Sequence, residues 1–279
     1  MNIKQTRTGR AKTDPIGIFD SGIGGLTVMR EITDLLPGEN TIYLGDTARV
    51  PYGSKSKETV ERYSFEVASF LLKSNIKMLV AACNTASAYA VADLKKRLDI
   101  PVIGVIEPGS RAAVAATINN RIGVIGTEGT IRSGAYSSAI KLINPDVEAF
   151  VKACPLFVPL VEEGWADDPV TRLVAERYLA ELRDSGIDTL VLGCTHYPLL
   201  KSTISSVMGP SVRLIDSAAS TAEEVRRVLK EKNLLSDAES QDALHRFFVT
   251  DSPERFLAVG RRFFGTGLEK AELAILNED

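Results

Sequence analysis

Two cysteine residues stand at equivalent places in two similar segments of the chain. Met78 to Ala82 and Thr189 to Leu192 are apolar runs typical of buried strands, and they lead into Cys83 and Cys194. Each cysteine is followed by polar residues and a predicted helix start, and a helix N-terminus can polarise a thiol. In an open α/β sheet, ligands bind beyond the carboxyl ends of the strands. The two segments therefore predict one site with two opposed acid/base thiols.

A glycine-rich turn, Asp20 to Gly25, follows a predicted strand at residues 15–19. Its backbone N–H groups can hold an anion. The turn is neither a dinucleotide fingerprint nor a Walker phosphate loop, because the required glycine at Thr27 and the Gly-Lys-Ser/Thr ending are absent. Asp20 can act as a base or orient a thiol. Taken alone, a turn-capping role is the simpler interpretation.

An internal repeat is indicated by two pairs of matching segments. Ile122 to Ile125 resembles Ile16 to Phe19 at an offset of 106 residues, and Cys194 follows Cys83 at an offset of 111. Chance similarity between short α/β units is the competing explanation. Alternating helices and Val/Ile/Leu-rich strands predict an α/β fold with two pseudo-symmetric, doubly wound lobes of mainly parallel sheet and an active site in the cleft between them. We place the first lobe at residues 1–107 and 217–279, and the second at residues 108–216.

Three local features complete the prediction of the elements. Ile106 to Gly109 is predicted to be a turn where the chain crosses between the lobes. Residues 131–143 have the pattern of a single helix. Glu162 and Glu163 are placed in a loop, where glutamates are usually solvated, although either could face the cleft.

The composition excludes several classes of protein. The chain is 44% hydrophobic and 25% charged, as in soluble globular proteins, and its net charge of −3 gives no basic field for nucleic acid. No apolar run is long enough to span a membrane, and residues 1–14 have the polar composition of a disordered tail. Three cysteines without Cys-x-x-Cys spacing argue against disulfides and zinc and indicate a reducing cytoplasm. We interpret Cys154 and His245 as structural residues, and we expect no cofactor and no metal.

Four motifs occur together and in order: the Asp20–Gly25 turn, Pro51-Tyr52-Gly53, Cys83-Asn84-Thr85, and Gly193-Cys194-Thr195-His196-Tyr197-Pro198. Each motif alone is weak, but the ordered set is specific. The set resembles the glutamate racemase family of the cofactor-independent aspartate/glutamate racemase superfamily. The resemblance covers roughly residues 15–217.

The resemblance implies two α/β lobes, each with one catalytic cysteine, and a C-terminal segment that completes the first lobe. It implies that Cys83 serves the D-glutamate face and Cys194 the L-glutamate face. Asp20 then matches the residue that assists the first cysteine, His196 the residue beside the second, and Glu162 a further carboxylate, with Glu163 as the alternative. The positions that match substrate contacts are Asp20, Ser21, Pro51, Tyr52, Gly53, Asn84, Thr85, Thr127, Thr130, Thr195 and His196.

The function implied by the resemblance is the interconversion of L- and D-glutamate, which supplies D-glutamate for peptidoglycan. The resemblance also implies a cytoplasmic location and a homodimer. Such a reaction needs one thiolate and one thiol that exchange roles with direction. A racemase of another amino acid such as aspartate is one alternative, and a nucleotide- or phosphate-binding module is another. A regulatory role toward DNA gyrase, as some relatives are thought to have, and activator binding by residues 1–14 stay open.

Overall fold

The strands fall into two parallel sheets. The computed structural model describes residues 9–238 and 243–276. In these ranges, one sheet holds six strands in the order β10-β9-β2-β1-β3-β4, and the other holds four in the order β6-β5-β7-β8. The first sheet comprises β1 (Ile16–Asp20), β2 (Thr41–Gly45), β3 (Met78–Ala81), β4 (Val102–Gly104), β9 (His245–Val249) and β10 (Glu272–Leu273). The second comprises β5 (Arg121–Gly126), β6 (Glu148–Ala153), β7 (Thr189–Gly193) and β8 (Arg213–Asp216).

The two sheets repeat one topology in one register. The order β2-β1-β3-β4 in the first corresponds to β6-β5-β7-β8 in the second, and these pairings are parallel. Ile16 pairs with Met78, and Ile122 pairs with Thr189. The sequence offsets of 106 and 111 residues therefore recur in the strand register, so the repeat is structural and not a chance similarity. It places the ends of β3 and β7 at equivalent positions.

Helices connect the strands and cover the sheets, as parallel pairing requires. They are α1 (Leu26–Leu35), α2 (Lys57–Leu72), α3 (Asn84–Arg97), α4 (Ile106–Ala116), α5 (Glu128–Arg132), α6 (Ala135–Ile143), α7 (Phe157–Glu162), α8 (Pro169–Asp184), α9 (Lys201–Met208), α10 (Ser217–Glu231) and α11 (Pro253–Phe264). Short 3-10 helices cover Thr47–Arg49, Tyr52–Ser54 and Tyr197–Leu200. The predicted α/β fold with two mainly parallel sheets is confirmed. None of the helices in the described ranges combines the length and apolarity that crossing a membrane requires.

One apolar cluster joins the two sheets. It includes Ile16 and Ile18 of β1, Leu190 and Leu192 of β7, and Phe263 of α11, all of them buried. Burying apolar surface contributes about 25 cal/mol per Å², so a core shared between the sheets favours one fixed arrangement. The lobe limits at residues 107/108 and 216/217 stay a prediction.

Three local predictions differ from the structure. Ile106 to Gly109 is the start of α4 and not a turn, because Pro108 lies in the first helical turn, where its missing N–H needs no partner. Residues 131–143 are split between α5 and α6, because Gly134 adopts a left-handed φ of 67°. Glu162 ends α7 and does not lie in a loop.

The N-terminal residues are held against the first lobe where the structure describes them. Asn40 Nδ2 donates to the Thr13 carbonyl at 2.9 Å, and Lys12 Nζ lies 2.7 Å from Asp237. The buried Lys77 ammonium donates to the Lys12 carbonyl. Our expectation of a disordered tail over residues 1–14 therefore does not apply to residues 12 and 13, while residues 1–8 lie outside the described part.

Candidate active site

Cys83 follows β3 and caps the N-terminus of α3. Its sulfur accepts a hydrogen bond from the Ala86 N–H at 3.5 Å and lies 3.7 Å from the Ser21 hydroxyl oxygen. Burial, and after it the nearby Asp20 carboxylate, raise the pKa of the Cys83 thiol to about 12. The helix N-terminus opposes this rise without overcoming it. In the free protein, Cys83 is therefore a neutral thiol at neutral pH.

Asp20 lies at the end of β1, and the glycine-rich turn folds around its carboxylate. The Gly22 N–H donates to Asp20 Oδ2 at 2.9 Å, and hydrogen bonds from Ser21 and Gly25 also favour the charged carboxylate. Burial has the larger effect and raises the Asp20 pKa. The anion-holding N–H groups that we expected to face a ligand are thus engaged by the chain's own carboxylate. Asp20 Oδ1 is buried and has no hydrogen-bond partner among the described residues.

The second cysteine has a histidine–glutamate pair beside it. Cys194 follows β7, and its sulfur lies 3.9 Å from His196 Nδ1. His196 Nε2 lies 3.0 Å from Glu162 Oε1. Burial lowers the His196 pKa, but the hydrogen bonds to Cys194 and Glu162 outweigh burial and raise it to about 10. The same hydrogen bond lowers the Glu162 pKa. His196 and Glu162 therefore form an imidazolium–carboxylate pair at neutral pH.

The fold brings the two cysteine segments close together. The Thr27 hydroxyl, just after the glycine-rich turn, donates to the Thr195 carbonyl at 3.1 Å. The charge of Cys194 contributes to the raised pKa of Cys83, and the charge of His196 opposes the rise at Asp20. Because these effects decay with distance, the four groups share one electrostatic environment. Both cysteines are nearly closed to solvent, with exposed fractions of 7% and 6%.

Three threonine hydroxyls form a cluster that joins segments from the two sheets. Thr85 follows Cys83, whereas Thr127 and Thr130 follow β5 of the other sheet. Their oxygens lie 3.0 to 3.1 Å apart in all three pairings. Gly53 packs against Thr127, since a Cβ added at Gly53 would lie 2.6 Å from the Thr127 Cβ. These four predicted contact positions are therefore neighbours.

Two members of the Pro51-Tyr52-Gly53 motif differ in their surroundings, and their contact with a substrate stays a prediction. Tyr52 is buried, and its hydroxyl donates to Asp46 Oδ2 at 2.6 Å, so its polar atom is engaged inside the first lobe. Pro51 is exposed. Glu163 is also exposed at the end of α7, whereas Glu162 contacts His196, so the structure favours Glu162 for the site carboxylate.

Two polar residues that the sequence did not single out support this site. Tyr136, on α6, donates from its hydroxyl to Asn84 Oδ1 at 2.7 Å, which leaves Asn84 Nδ2 as a buried donor without a partner among the described residues. Asp46 is fully buried and accepts hydrogen bonds from Tyr52 and Thr250. Its place directly after β2, beside the strand that ends at Asp20, is a signal that could have identified Asp46. Tyr136 has no comparable local signal.

The remaining candidate residues lie outside this cluster. Cys154 is fully buried, with its sulfur 3.8 Å from the Lys152 carbonyl oxygen. His245 lies at the start of β9, where Nδ1 is 2.8 Å from the Thr41 hydroxyl oxygen. Within the described residues, no group of three or more His, Cys, Asp or Glu side chains is arranged to hold a metal ion.

The sequence and the fold both resemble known racemases. Residues 16–225 match the family model for Asp/Glu/Hydantoin racemase. A glutamate racemase from Geobacter metallireducens is 60% identical over 250 residues, which is 90% of this chain and 92% of that relative. The structure of a glutamate racemase isoform from Bacillus anthracis aligns with a TM-score of 0.92 at 42% identity, covering 95% of this chain and 98% of that one.

A third relative was solved with a ligand. The glutamate racemase from Francisella tularensis in complex with D-glutamate aligns with a TM-score of 0.90 at 39% identity, covering 96% of this chain and 100% of that one. The three relatives each match at least 90% of this chain, and the family model matches well over half of it. The chain therefore belongs to the Asp/Glu/Hydantoin racemase family.

Proposed function

We propose that this protein is a glutamate racemase that uses two cysteines and no cofactor. The observation that carries the proposal is the pair of thiols at equivalent ends of β3 and β7, within one electrostatic environment. The Geobacter metallireducens relative and the Francisella tularensis protein with D-glutamate supply the substrate class. Glutamate is the substrate in either configuration.

In this mechanism, one sulfur removes the Cα proton as a thiolate, and the other returns a proton from the opposite face as a thiol. By the family resemblance, Cys194 acts on L-glutamate and Cys83 on D-glutamate. The raised pKa of Cys83 suits the proton-donating partner of an L-to-D turnover, because a neutral thiol must be present before the carbanion forms. The His196 imidazolium donates to Cys194 and orients it, with Glu162 fixing the ring.

The unpartnered atoms of the cleft suit the polar groups of an amino acid. Asn84 Nδ2 is a donor for a carboxylate, and Asp20 Oδ1 is an acceptor for an ammonium group. Buried polar atoms cost free energy unless they are paired, so a ligand that pairs both gains affinity and a defined orientation. The hydroxyl cluster of Thr85, Thr127 and Thr130 and the side chains of Ser21 and Thr195 complete the proposed contacts.

Further parts of the proposal rest on the family resemblance. They are the supply of D-glutamate for peptidoglycan, a cytoplasmic location and a homodimer. Because the net charge of −3 gives no basic field, we expect no nucleic-acid partner.

The experiment is to incubate the purified protein with each enantiomer of glutamate and of aspartate, and to follow optical activity. An equal mixture from either glutamate enantiomer, with aspartate unchanged, is expected. Cys83→Ala and Cys194→Ala should each reduce the rate by at least about 1,000-fold, since each removes a group that every turnover uses. Racemisation of aspartate alone, or tight binding of NAD or ATP without racemisation, would contradict the proposal.

A further inference from the structure

We propose that Arg262, on the C-terminal helix α11, is a positioning residue that holds the end of α7 and thereby keeps Glu162 against His196. The inference rests on the proposed function, because it concerns the partner of the second thiol. α11 follows β9 of the six-stranded sheet, whereas Glu162, His196 and Cys194 follow strands of the other sheet. Arg262 therefore links the two lobes at the histidine.

The contact is made to the backbone at the point where α7 ends. Arg262 Nη1 donates to the Glu162 carbonyl oxygen at 2.7 Å. α7 has only six residues, and the last carbonyls of a helix have no partner within it. A cation at this end also interacts favourably with the helix dipole. Arg262 thus fixes the residue whose carboxylate oxygen lies 3.0 Å from His196 Nε2.

The space around the guanidinium is shaped for this contact. A Cβ added at Gly164 would lie 2.8 Å from Arg262 Nη1 and 2.9 Å from its Cζ, so the guanidinium packs directly over the glycine. Gly164 has a φ of 80°, a left-handed conformation that closes the turn after α7. Arg262 is therefore seated against the turn as well as bonded to it.

The same helix also bounds the imidazole. The neighbouring Phe263 is buried, and its ring meets that of His196 edge-on at 5.2 Å and 79°. A Cβ added at Gly260 would lie 2.9 Å from Leu26 Cδ1, so α11 is seated closely on α1. α11 thus holds His196 between a ring and a fixed carboxylate.

The pKa of His196 depends on the charged groups around it, so it can report the effect of the Arg262 contact. Cys194 faces Nδ1, Glu162 faces Nε2, and Asp20 acts through space. Arg255 lies 3.6 Å from the other Glu162 oxygen, at the exposed rim. Releasing the end of α7 weakens the hydrogen bond that His196 Nε2 donates to Glu162, which is one of the two hydrogen bonds that raise the His196 pKa to about 10.

The chain contains only two histidines, His196 and His245, so an NMR titration of the imidazoles reports on His196 directly. We expect Arg262→Ala to lower the His196 pKa by about one pH unit, and kcat to fall about tenfold with little change in KM. Arg262→Lys, which keeps a cationic donor, should restore most of both values. Arg261→Ala, on the same helix, is the matched control and should change neither; its Nε contacts the Leu268 carbonyl at 3.4 Å.

A His196 pKa that is unchanged in folded Arg262→Ala, or lowered equally by Arg261→Ala, would overturn the proposal. If Arg262→Ala does not fold, Arg262→Met can replace it, because methionine keeps the apolar stem without a hydrogen-bond donor. The same fall in the His196 pKa is then expected. The titration needs no turnover. A wild-type protein that does not racemise glutamate would therefore contradict the proposed function and leave the result on Arg262 readable.

Discussion

Gly24 and His196 approach each other so closely that no side chain fits between them. A Cβ added at Gly24 would lie 2.4 Å from His196 Nδ1 and 2.2 Å from the Thr195 hydroxyl oxygen. Gly24 belongs to the turn after β1, and His196 follows β7, so this contact joins the two sheets beside Cys194. Glycine is required here because of the close approach.

Gly24→Ala should therefore push the lobes apart at the site. We expect racemisation to fall at least about 100-fold and the free energy of unfolding to fall by about 1–3 kcal/mol, the usual cost of overpacking. Turnover assays and urea denaturation measure the two effects. Gly267→Ala is the control, since its Cβ would meet nothing closer than Phe264 Cε1 at 3.5 Å. Equal behaviour of the two variants would show that the contact does not matter.

Removing the charge of Asp20 should lower the pKa of Cys83. The Asp20 carboxylate is the second-largest cause of the raised Cys83 pKa, after burial. Asp20→Asn should therefore contain more Cys83 thiolate than the wild type at any pH below the Cys83 pKa. We expect alkylation of Cys83 by iodoacetamide at pH 8 to become about threefold faster or more, as measured by peptide mass spectrometry. Asp34→Asn, a surface carboxylate near Arg30, should leave the rate unchanged. Slower alkylation in Asp20→Asn would contradict the assigned electrostatics.

His196 should stabilise the fold most strongly at low pH. Its pKa is raised in the folded state from 6.5 to about 10, so its contribution is full below pH 6.5 and is lost as pH rises to about 10. The unfolding free energy of wild type minus that of His196→Asn should decline across this window in urea titrations. Burial lowers the pKa of His245, so the corresponding difference for His245→Asn should instead fall as pH drops below 6.5. The same slope for both variants would refute the assignment.

A buried ion pair at the opposite end of β3 from Cys83 should matter for stability and not for turnover. Lys77 and Glu39 are almost fully buried, with Nζ 2.5 Å from Oε2, and Lys77 also donates to the Leu234 carbonyl. Glu39→Gln leaves the ammonium without its counter-charge, which costs about 3–5 kcal/mol in calorimetry or denaturation. Glu176→Gln breaks the exposed pair with Arg172 and should cost less than about 1 kcal/mol. A loss below 1 kcal/mol in Glu39→Gln would be the contrary result.

Much of the fold was predictable because its signals are local. Apolar strand runs and the residues that directly follow them locate Cys83, Asp20 and Cys194 without knowledge of packing. The offsets of 106 and 111 residues in the sequence are found again in the strand pairing of the structure. They are local signals, because the lengths of the strands and helices set them. The order of the motifs along the chain supported the family resemblance in the same way.

The features that the sequence did not predict depend on contacts between segments that lie far apart in the sequence. Tyr136 meets Asn84 across 52 residues of chain, and Arg262 meets Glu162 across 100. No periodicity encodes such contacts, since they arise from how the two lobes pack. α7 was missed because it is six residues long, contains Pro159 and is followed by Gly164, all of which are typical of a loop.

The most direct test of the account is a crystal structure with glutamate bound, read for the distance from each sulfur to Cα. We expect the Cys83 and Cys194 sulfurs both to lie within about 4 Å of Cα, on opposite faces, as proton transfer requires. A structure in which either sulfur is remote from Cα, or in which both lie on the same face, would contradict the two-thiol mechanism.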